Sequence, residues 1–418
     1  MIKRNLFLEL KDHLNKKEIS LIIGPRQAGK TTLMSLLAVH LNKIGEATVS
    51  LNFDIERDRE FLSSQEKLLK KIELEIGKKK GYVFLDEIQR KEDAGLFLKG
   101  LYDMNLPYKF IVSGSGSVEL KEKIHESLVG RKRMFELGTV SFDEFVNFRT
   151  DYKYENKLND FFEIEKSQAR LLFEEFLNYG GYPKVVLEET KEEKIKTIDE
   201  IYRSYVEKDI SYLLGVQKTD DFTRLLRLIA GQIGNLVNIS ELSATLGISI
   251  PTVKNYLWYL EKTFILEKVT PYFKNARKEI TKAPVYYFYD IGLRNYAAGD
   301  FGRISLEDNI GFVFENYVFS VLKEKTRHSS SSIHFWRSKD GAEVDFIINS
   351  GRTVIPVEAK KQNLRQSEIT RSLRSFITKY SPEEAWVVNL TLSDEIIVRN
   401  TAMRFVPYYG LRLELFLL

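Results

Sequence analysis

Gly24-Pro25-Arg26-Gln27-Ala28-Gly29-Lys30-Thr31 is a complete G-x-x-x-x-G-K-T loop. It follows the apolar run Leu21–Ile23 and opens into a helix-like stretch from Thr32 to Leu41. That strand–loop–helix context gives the spacing its meaning. Glycines let backbone N–H groups turn inward around a polyphosphate, and the helix N-terminus behind them adds a favourable dipole. Gly24 through Thr32 is therefore expected to cradle ATP. Lys30 would reach the β- and γ-phosphates, and the Thr31 hydroxyl would ligate Mg2+.

A second acidic motif points to hydrolysis. Tyr82-Val83-Phe84-Leu85 reads as a buried parallel strand and ends in Asp86-Glu87. Ligands of open α/β sheets sit at the carboxyl ends of strands, which brings both carboxylates to the loop. Asp86 is expected to hold the magnesium through water, and Glu87 to orient or deprotonate the attacking water. A further apolar strand, Phe110-Ile111-Val112, ends in Ser113-Gly114-Ser115. Ser113 or Ser115 would hydrogen-bond the attacking water or the γ-phosphate, unless this is a plain turn.

The C-terminal third carries another constellation. A helix around Gly311–Lys323 presents Glu315, and strands follow over 333–337, 341–348 and 354–357. The last runs into Glu358-Ala359-Lys360, with Asp345 on the neighbouring hairpin strand. Residues i and i+2 of a strand share a face, so Glu358 and Lys360 point into one site. Asp345 and Glu358 would hold one or two magnesium ions, while Lys360 stabilises developing phosphorane charge or orients water. Such an arrangement suits metal-dependent phosphodiester cleavage. The five histidines show no metal-ligand spacing, and cysteine is absent, which removes disulfide and thiol chemistry.

Alternating strands and helices position the first site, which predicts an α/β fold: a P-loop NTPase parallel sheet with helices on both faces over 1–149. Residues 150–215 read as a helical region, with a sharp break at Gly180-Gly181-Tyr182-Pro183. Within 216–300 a helix-turn-helix is expected. Its first helix spans 240–246, capped by Ser240 and ended by Gly247. Its second starts after Pro251 and buries Val253, Tyr256, Leu257, Leu260 and Phe264. Thr252, Lys254, Asn255 and Tyr259 would face DNA phosphates or bases. A wing would follow, with a basic turn at Lys274, Arg277, Lys278 and Lys282. Such units also serve as protein-interaction modules. Residues 301–418 read as an α/β nuclease-like domain.

At 418 residues the chain is expected to form two to four domains, and 43% hydrophobic residues describe a globular protein. No apolar run approaches a membrane span, and the N-terminus lacks the apolar core of a secretion signal, so a cytoplasmic place and no membrane partner are expected. The net charge of +4 is too slight to announce a nucleic-acid protein. Any such surface must come from local clustering.

These pieces, in this order, resemble a family of prokaryotic AAA-superfamily P-loop ATPases. In that family a winged helix and a C-terminal domain of unknown function follow, the latter restriction-endonuclease-like and similar to the PD-(D/E)xK nuclease fold. The resemblance spans nearly the whole chain. It rests on Gly24–Thr32, Tyr82–Gln89, Ser113–Ser117, Gly130-Arg131 with Phe135-Glu136-Leu137, Gly180–Pro183, Val285–Arg294, and Ala342–Phe346 with Glu358-Ala359-Lys360. It implies an additional arginine near the γ-phosphate, for which Arg131 or Arg133 are the matching positions, unless they form a basic turn. Glu343 precedes Val344 where the motif's name has Pro. Three functions remain open: a Mg2+-dependent ATPase driving a DNA-engaging or DNA-cutting C-terminal half, an ATP-controlled DNA binder with an inert nuclease-like domain, and a nucleotide-dependent protein-interaction switch. Homo-oligomerisation is open as well.

Overall fold

The computed structural model describes residues 1–115, 127–205, 219–273, 283–327, 329–351 and 353–412. Lys274, Arg277, Lys278 and Lys282 of the expected wing lie outside them, as do Ser117 and the side chain of Ser115. The chain parts into two compact units. The first holds Met1–Val140 with the short stretches Tyr182–Lys184 and Trp258–Ile265, and the second holds the rest.

The first unit is built on five strands: β1 Ile19–Gly24, β2 Thr48–Asn52, β3 Gly81–Asp86, β4 Tyr108–Ser115 and β5 Lys132–Glu136. They pair in parallel in the order β2-β3-β4-β1-β5. Every residue of β1 and β3 is buried, as continuous apolar runs demand when helices cover both sheet faces. The helix Lys30–Lys43 turns Leu33, Met34, Leu37 and Leu41 onto Ile22, Tyr82, Phe84 and Ile111. The order matters for chemistry. It sets β4 between β1 and β3, so the ends of three strands open side by side.

In the second unit, helices 142–149, 158–164, 166–179, 191–203 and 219–231 precede the helix pair Ile239–Leu246 and Ile250–Lys262, the last residues of which, from Trp258, are counted with the first unit. An antiparallel pair follows, β6 Leu266–Val269 with β7 Val285–Phe288. Two corrections concern the helix pair. The first helix begins at Ile239, because Asn238 rather than Ser240 caps it: the Asn238 Oδ1 accepts from the Ser240 and Glu241 amides at 3.0 and 3.4 Å. Tyr259, expected on the exposed face, is only 1% exposed. It borders the apolar stripe at Leu260, and burying the ring outweighs its polar tip.

A mixed six-stranded sheet completes the unit, in the order β12-β13-β11-β10-β9-β8. Its strands are β8 Ser332–Arg337, β9 Glu343–Asn349, β10 Val354–Ala359, β11 Glu384–Asn389, β12 Asp394–Val398 and β13 Thr401–Pro407. The helices Gly311–Thr326 and Arg371–Tyr380 belong to the same unit.

The break at Gly180 and the segment Val285–Arg294 meet backbone to backbone. A Cβ on Gly180 would lie 2.4 Å from the Gly292 nitrogen, and one on Gly292 would lie 2.1 Å from the Tyr179 carbonyl oxygen. Only glycine fits either place. Asp290, 3% exposed, fastens the contact. Its Oδ1 accepts from the Leu293 amide at 2.9 Å, capping the helix Ile291–Ala298, and its Oδ2 accepts from the Gly181 amide at 2.8 Å. Asn295 donates to the carbonyls of Leu177 and Asn178, and Arg294 to that of Ala230. Asp290→Ala strands two shielded amides and is expected to cost roughly 2–4 kcal/mol. A lowered urea midpoint for the fluorescence of buried Trp336 and Trp386 is the readout; an unchanged midpoint would show that solvent satisfies both amides.

Candidate active site

The loop leaves β1 at Gly24, where a Cβ would fall 2.1 Å from the Leu137 carbonyl oxygen. Close approach of backbone to backbone forces glycine there. Pro25, Arg26, Gln27, Ala28 and Gly29 carry the chain round to the helix that starts at Lys30. Arg26 and Gly29 are half-buried, Ala28 is fully buried, and Gln27, Thr31 and Thr32 are exposed. Arg4 braces the loop from below. Its guanidinium donates to the Ala28 carbonyl at 2.9 Å and to the Gly138 and Thr139 carbonyls at 2.8 and 3.0 Å. Nothing local in the sequence flags Arg4, since its partners lie up to 135 residues away.

Lys30 is 6% exposed, and its ammonium donates to the Gly24 and Pro25 carbonyls at 3.0 and 2.7 Å. Burial pulls its pKa down to about 8, against the opposing pull of Glu87 and Asp86, with Arg26 lowering it further. The cation thus bonds its own loop with backbone oxygens that polyphosphate oxygens would replace.

Asp86 gathers donors from three other elements. The Thr31 hydroxyl donates to its Oδ2 at 2.7 Å and Asn52 Nδ2 to the same oxygen at 3.2 Å, while the Ser113 hydroxyl donates to Oδ1. Ser113 also accepts from the Glu87 amide at 3.4 Å. Glu87 sits at φ +59°, in the left-handed region, where the chain leaves β3. Its carboxylate accepts from the Gln89 amide group. Asn52 and Gln89 carry no expectation from the sequence. Asn52 closes β2 at the ligand-bearing edge, a place that by itself does not mark it. The Thr31 hydroxyl and Asp86 form the hard-oxygen pair a magnesium ion prefers, so this chain's residues fit such an ion.

Arg131 is not brought to the loop. It precedes β5, whose start pairs with Ile19, at the opposite end of β1 from Gly24. Its guanidinium is paired there with Asp103 at 2.8 Å. Arg133 pairs in register with Ser20, also at that far end. Arg133 stands opposite a residue four positions before Gly24, roughly 13 Å at ~3.3 Å per residue, and Arg131 lies farther still.

In the second unit, β9 and β10 run antiparallel with Phe346 opposite Val357, which sets Asp345 opposite Glu358. The Asp345 Oδ2 accepts from the Ala359 amide at 2.8 Å. Glu358 is 2% exposed, with its Oε1 accepting from the Thr370 hydroxyl at 2.6 Å. Its buried Oε2 has no hydrogen-bond partner and lies 3.6 Å from the Lys360 ammonium. Glu315 arrives from the helix Gly311–Thr326 and accepts from the Tyr287 hydroxyl at 2.6 Å. Burial raises the pKa of Glu315 and Asp345, which repel one another, and also that of Glu358, where Lys360 opposes it. Tyr287, stacked on Phe319, is pushed well up by burial and by Glu315. Asp345, Glu358 and Lys360 therefore share one site with Glu315 beside it. Among the described residues no three His, Cys, Asp or Glu side chains are arranged to hold a metal. A cation there would rest on the Asp345–Glu358 pair, with the orphaned Oε2 as its ready oxygen. On the second helix of the helix pair, Lys254 and Asn255 are exposed and Thr252 half-buried.

Residues 16–146 match the AAA domain family, 170–303 a domain of unknown function (DUF8612) and 310–409 another (DUF4143). An uncharacterized protein of Mycobacterium tuberculosis is 26% identical over 378 residues, covering 89% of this chain and 76% of that protein. One from Haemophilus influenzae is 27% identical over 374 residues, covering 86% of each. Among solved structures, the Aeropyrum pernix ORC2 protein in ADPNP-ADP complexes is 12% identical, covering 75% of this chain and 91% of that one, with a TM-score of 0.26. AMPPCP-bound DnaA from Aquifex aeolicus is 15% identical, covering 63% and 90%, with a TM-score of 0.27. The parallel sheet and the loop give the first unit a P-loop NTPase fold, and its match to the AAA domain family supports an ATPase. No described helix is long and apolar enough to cross a membrane.

The depressed Lys30 pKa has a measurable consequence. The free protein loses this proton as pH rises through about 8, whereas bound triphosphate favours the charged ammonium. ATP binding is therefore expected to take up a proton near pH 8.5 and almost none at pH 6.5. Calorimetry in buffers of different ionisation enthalpy reads the uptake, which Lys30→Arg should abolish; equal uptake at both pH values would remove Lys30 as its source.

Proposed function

We propose that this protein is a Mg2+-dependent ATPase whose cycle acts on a DNA-engaging C-terminal half. The observation that carries the ATPase is the meeting of Lys30, Thr31, Asp86, Glu87 and Ser113 at the ends of three adjacent strands. Lys30 and the loop amides from Arg26 to Thr32 bind the β- and γ-phosphates. Thr31 and Asp86 would hold the magnesium, which supplies charge neutralisation on the phosphate oxygens. Glu87 accepts the proton of the attacking water, and Ser113 orients Asp86 and the Glu87 turn. Asn52 and Gln89 fix the two carboxylates.

The helix pair with its two-stranded companion β6–β7 supports a winged-helix reading, with Lys254 and Asn255 facing DNA. For the C-terminal site, the shared face of Asp345, Glu358 and Lys360 supports phosphodiester chemistry, with the two carboxylates as metal ligands. A specific observation favours the second reading, an inert nuclease-like domain: protein donors already occupy one oxygen each of Asp345, Glu358 and Glu315. The arginine that completes the ATP site has no counterpart among Arg131 and Arg133 of the same chain. We infer that a second copy supplies it, which makes the active form a homo-oligomer. The domain limits that go with this function are 1–149, 150–215, 216–300 and 301–418.

Lys30→Ala is expected to abolish hydrolysis and weaken nucleotide binding, and Glu87→Gln to bind ATP while slowing turnover by roughly 100-fold or more. Equal turnover by Glu87→Gln would remove Glu87 from water activation. For the second half, linear, circular and single-stranded DNA are incubated with Mg2+ or Mn2+, with and without ATP. Cleavage lost in Asp345→Asn identifies a working nuclease. Intact DNA under every condition leaves the inert reading standing.

A further inference from the structure

The whole-chain charge of +4 conceals a local excess. Between Lys360 and Arg374 there are five cations, Lys360, Lys361, Arg365, Arg371 and Arg374, against the single acid Glu368. Fifteen residues thus hold a net charge as large as that of the entire protein. They are not spread along an extended edge. The segment leaves the C-terminal end of β10 directly beyond Glu358 and returns as the helix Arg371–Tyr380.

Two hydrogen bonds tie the first turn of that helix to the carboxylate site. The Thr370 hydroxyl caps the helix by accepting from the Leu373 amide at 3.1 Å and donates to Glu358 Oε1 at 2.6 Å. The Ser372 hydroxyl accepts from the Glu343 amide at 3.1 Å, two residues before Asp345. Leu373, Phe376 and Ile377 bury against Val344 and Ile347 of β9. Helical periodicity then throws Arg371 and Arg374 outward together, three positions apart and neighbours on the exposed face. Arg365 is exposed on the connecting segment. Lys361 is half-buried and held in place by donating to the Asp308 carbonyl at 2.5 Å. Three acids lie beside the segment: Glu343 pairs with Arg337 at 2.5 Å, Glu368 accepts from Gln366, and Asp394 accepts from the Ser367 hydroxyl.

We propose that Lys361, Arg365, Arg371 and Arg374 form a binding rail for the phosphodiester backbone of double-stranded DNA, running past the Glu358–Lys360 end of the carboxylate site. Arginine forks match phosphate oxygens bidentately, and a row of them gives affinity without reading sequence. Lys360 stands where the rail meets the site, its ammonium 3.6 Å from the buried Oε2 of Glu358. The rail rests on the DNA-engaging reading above and deepens it: this surface, and not only Lys254 on the helix pair, carries the contact.

The test is a fluorescence-anisotropy titration of full-length protein with a random-sequence DNA duplex, repeated across a salt series. Arg365→Glu with Arg371→Glu and Arg374→Glu is compared with wild type and with Lys254→Glu, and ATP turnover without DNA checks that each variant is folded. The triple variant is expected to bind at least about tenfold more weakly, with its log K against log salt slope shallower by roughly 2–3, since each lost phosphate contact removes about 0.9. Lys254→Glu should shift the slope by no more than about 1. If wild type binds and the triple variant matches it in affinity and slope, the rail is wrong while the DNA reading survives. If wild type binds no duplex at any salt, both fall. Tighter binding to an RNA duplex of equal length would overturn the assignment to DNA.

Discussion

Everything at the ATP site depends on one carboxylate. Asp86 stands at the end of β3 and draws hydroxyl and amide donors from the helix after β1, from the end of β2 and from β4. A single acceptor thereby fixes four chain segments to one another at the sheet edge. Charge-assisted hydrogen bonds of this kind are about twice as strong as neutral ones, so the constraint is stiff. The Glu87 amide donates to Asp86 Oδ1 as well, at 3.1 Å, which helps hold Glu87 in its left-handed turn. Site geometry and sheet topology are consequently one problem: with β4 between β1 and β3, Ser113 reaches Asp86.

The second unit solves a comparable problem with backbone rather than side chains. Gly180 and Gly292 remove their Cβ atoms so that two chain segments more than 100 residues apart can touch, and Asp290 satisfies the amides this exposes. A buried polar group is tolerated when every donor finds an acceptor, and the Asn178–Asn295–Ile304 bonds extend the same logic outward. The motif-like segment Val285–Arg294 is thus a structural clamp. Its Tyr287 also reaches the C-terminal site, covering the Glu315 carboxylate.

Legibility followed sequence distance. The phosphate loop and the Asp86-Glu87 pair could be read directly, because short motifs encode their own geometry. Apolar runs marked β1 to β4 but not β5 or β11 to β13, and Ser113, expected to meet the attacking water or the γ-phosphate or to form a plain turn, bonds Asp86. Asn52, Gln89 and Arg4 could not, because each acquires its role from a partner that only the folded sheet brings near. Arg131 shows the converse. The family resemblance implied an arginine near the γ-phosphate with Arg131 as a matching position, but strand register sends it to the far end of β1, where Asp103 takes it. At the C-terminal site, alternation along β10 put Glu358 and Lys360 on one face, yet nothing local told how far Thr370, the Ala359 amide and Tyr287 would already satisfy the acids.

That difference separates the two sites physically. At the loop, the rearrangement is small: the Thr31 hydroxyl and Asp86 need only trade their mutual hydrogen bond for a hard cation. Lys30 must only exchange two carbonyls for phosphate oxygens. In the second unit, burial works against ionising Glu315, Asp345 and Glu358 together, and Lys360 opposes it at each of the three. A metal or a phosphodiester arriving there competes with protons and with existing hydrogen bonds. Cations at the mouth of such a site have a purpose the interior cannot serve: they raise the local concentration of an anionic backbone before any of those internal bonds is broken. A polyanion held outside is thus the first step the electrostatics favour, whether or not the carboxylates then act on it.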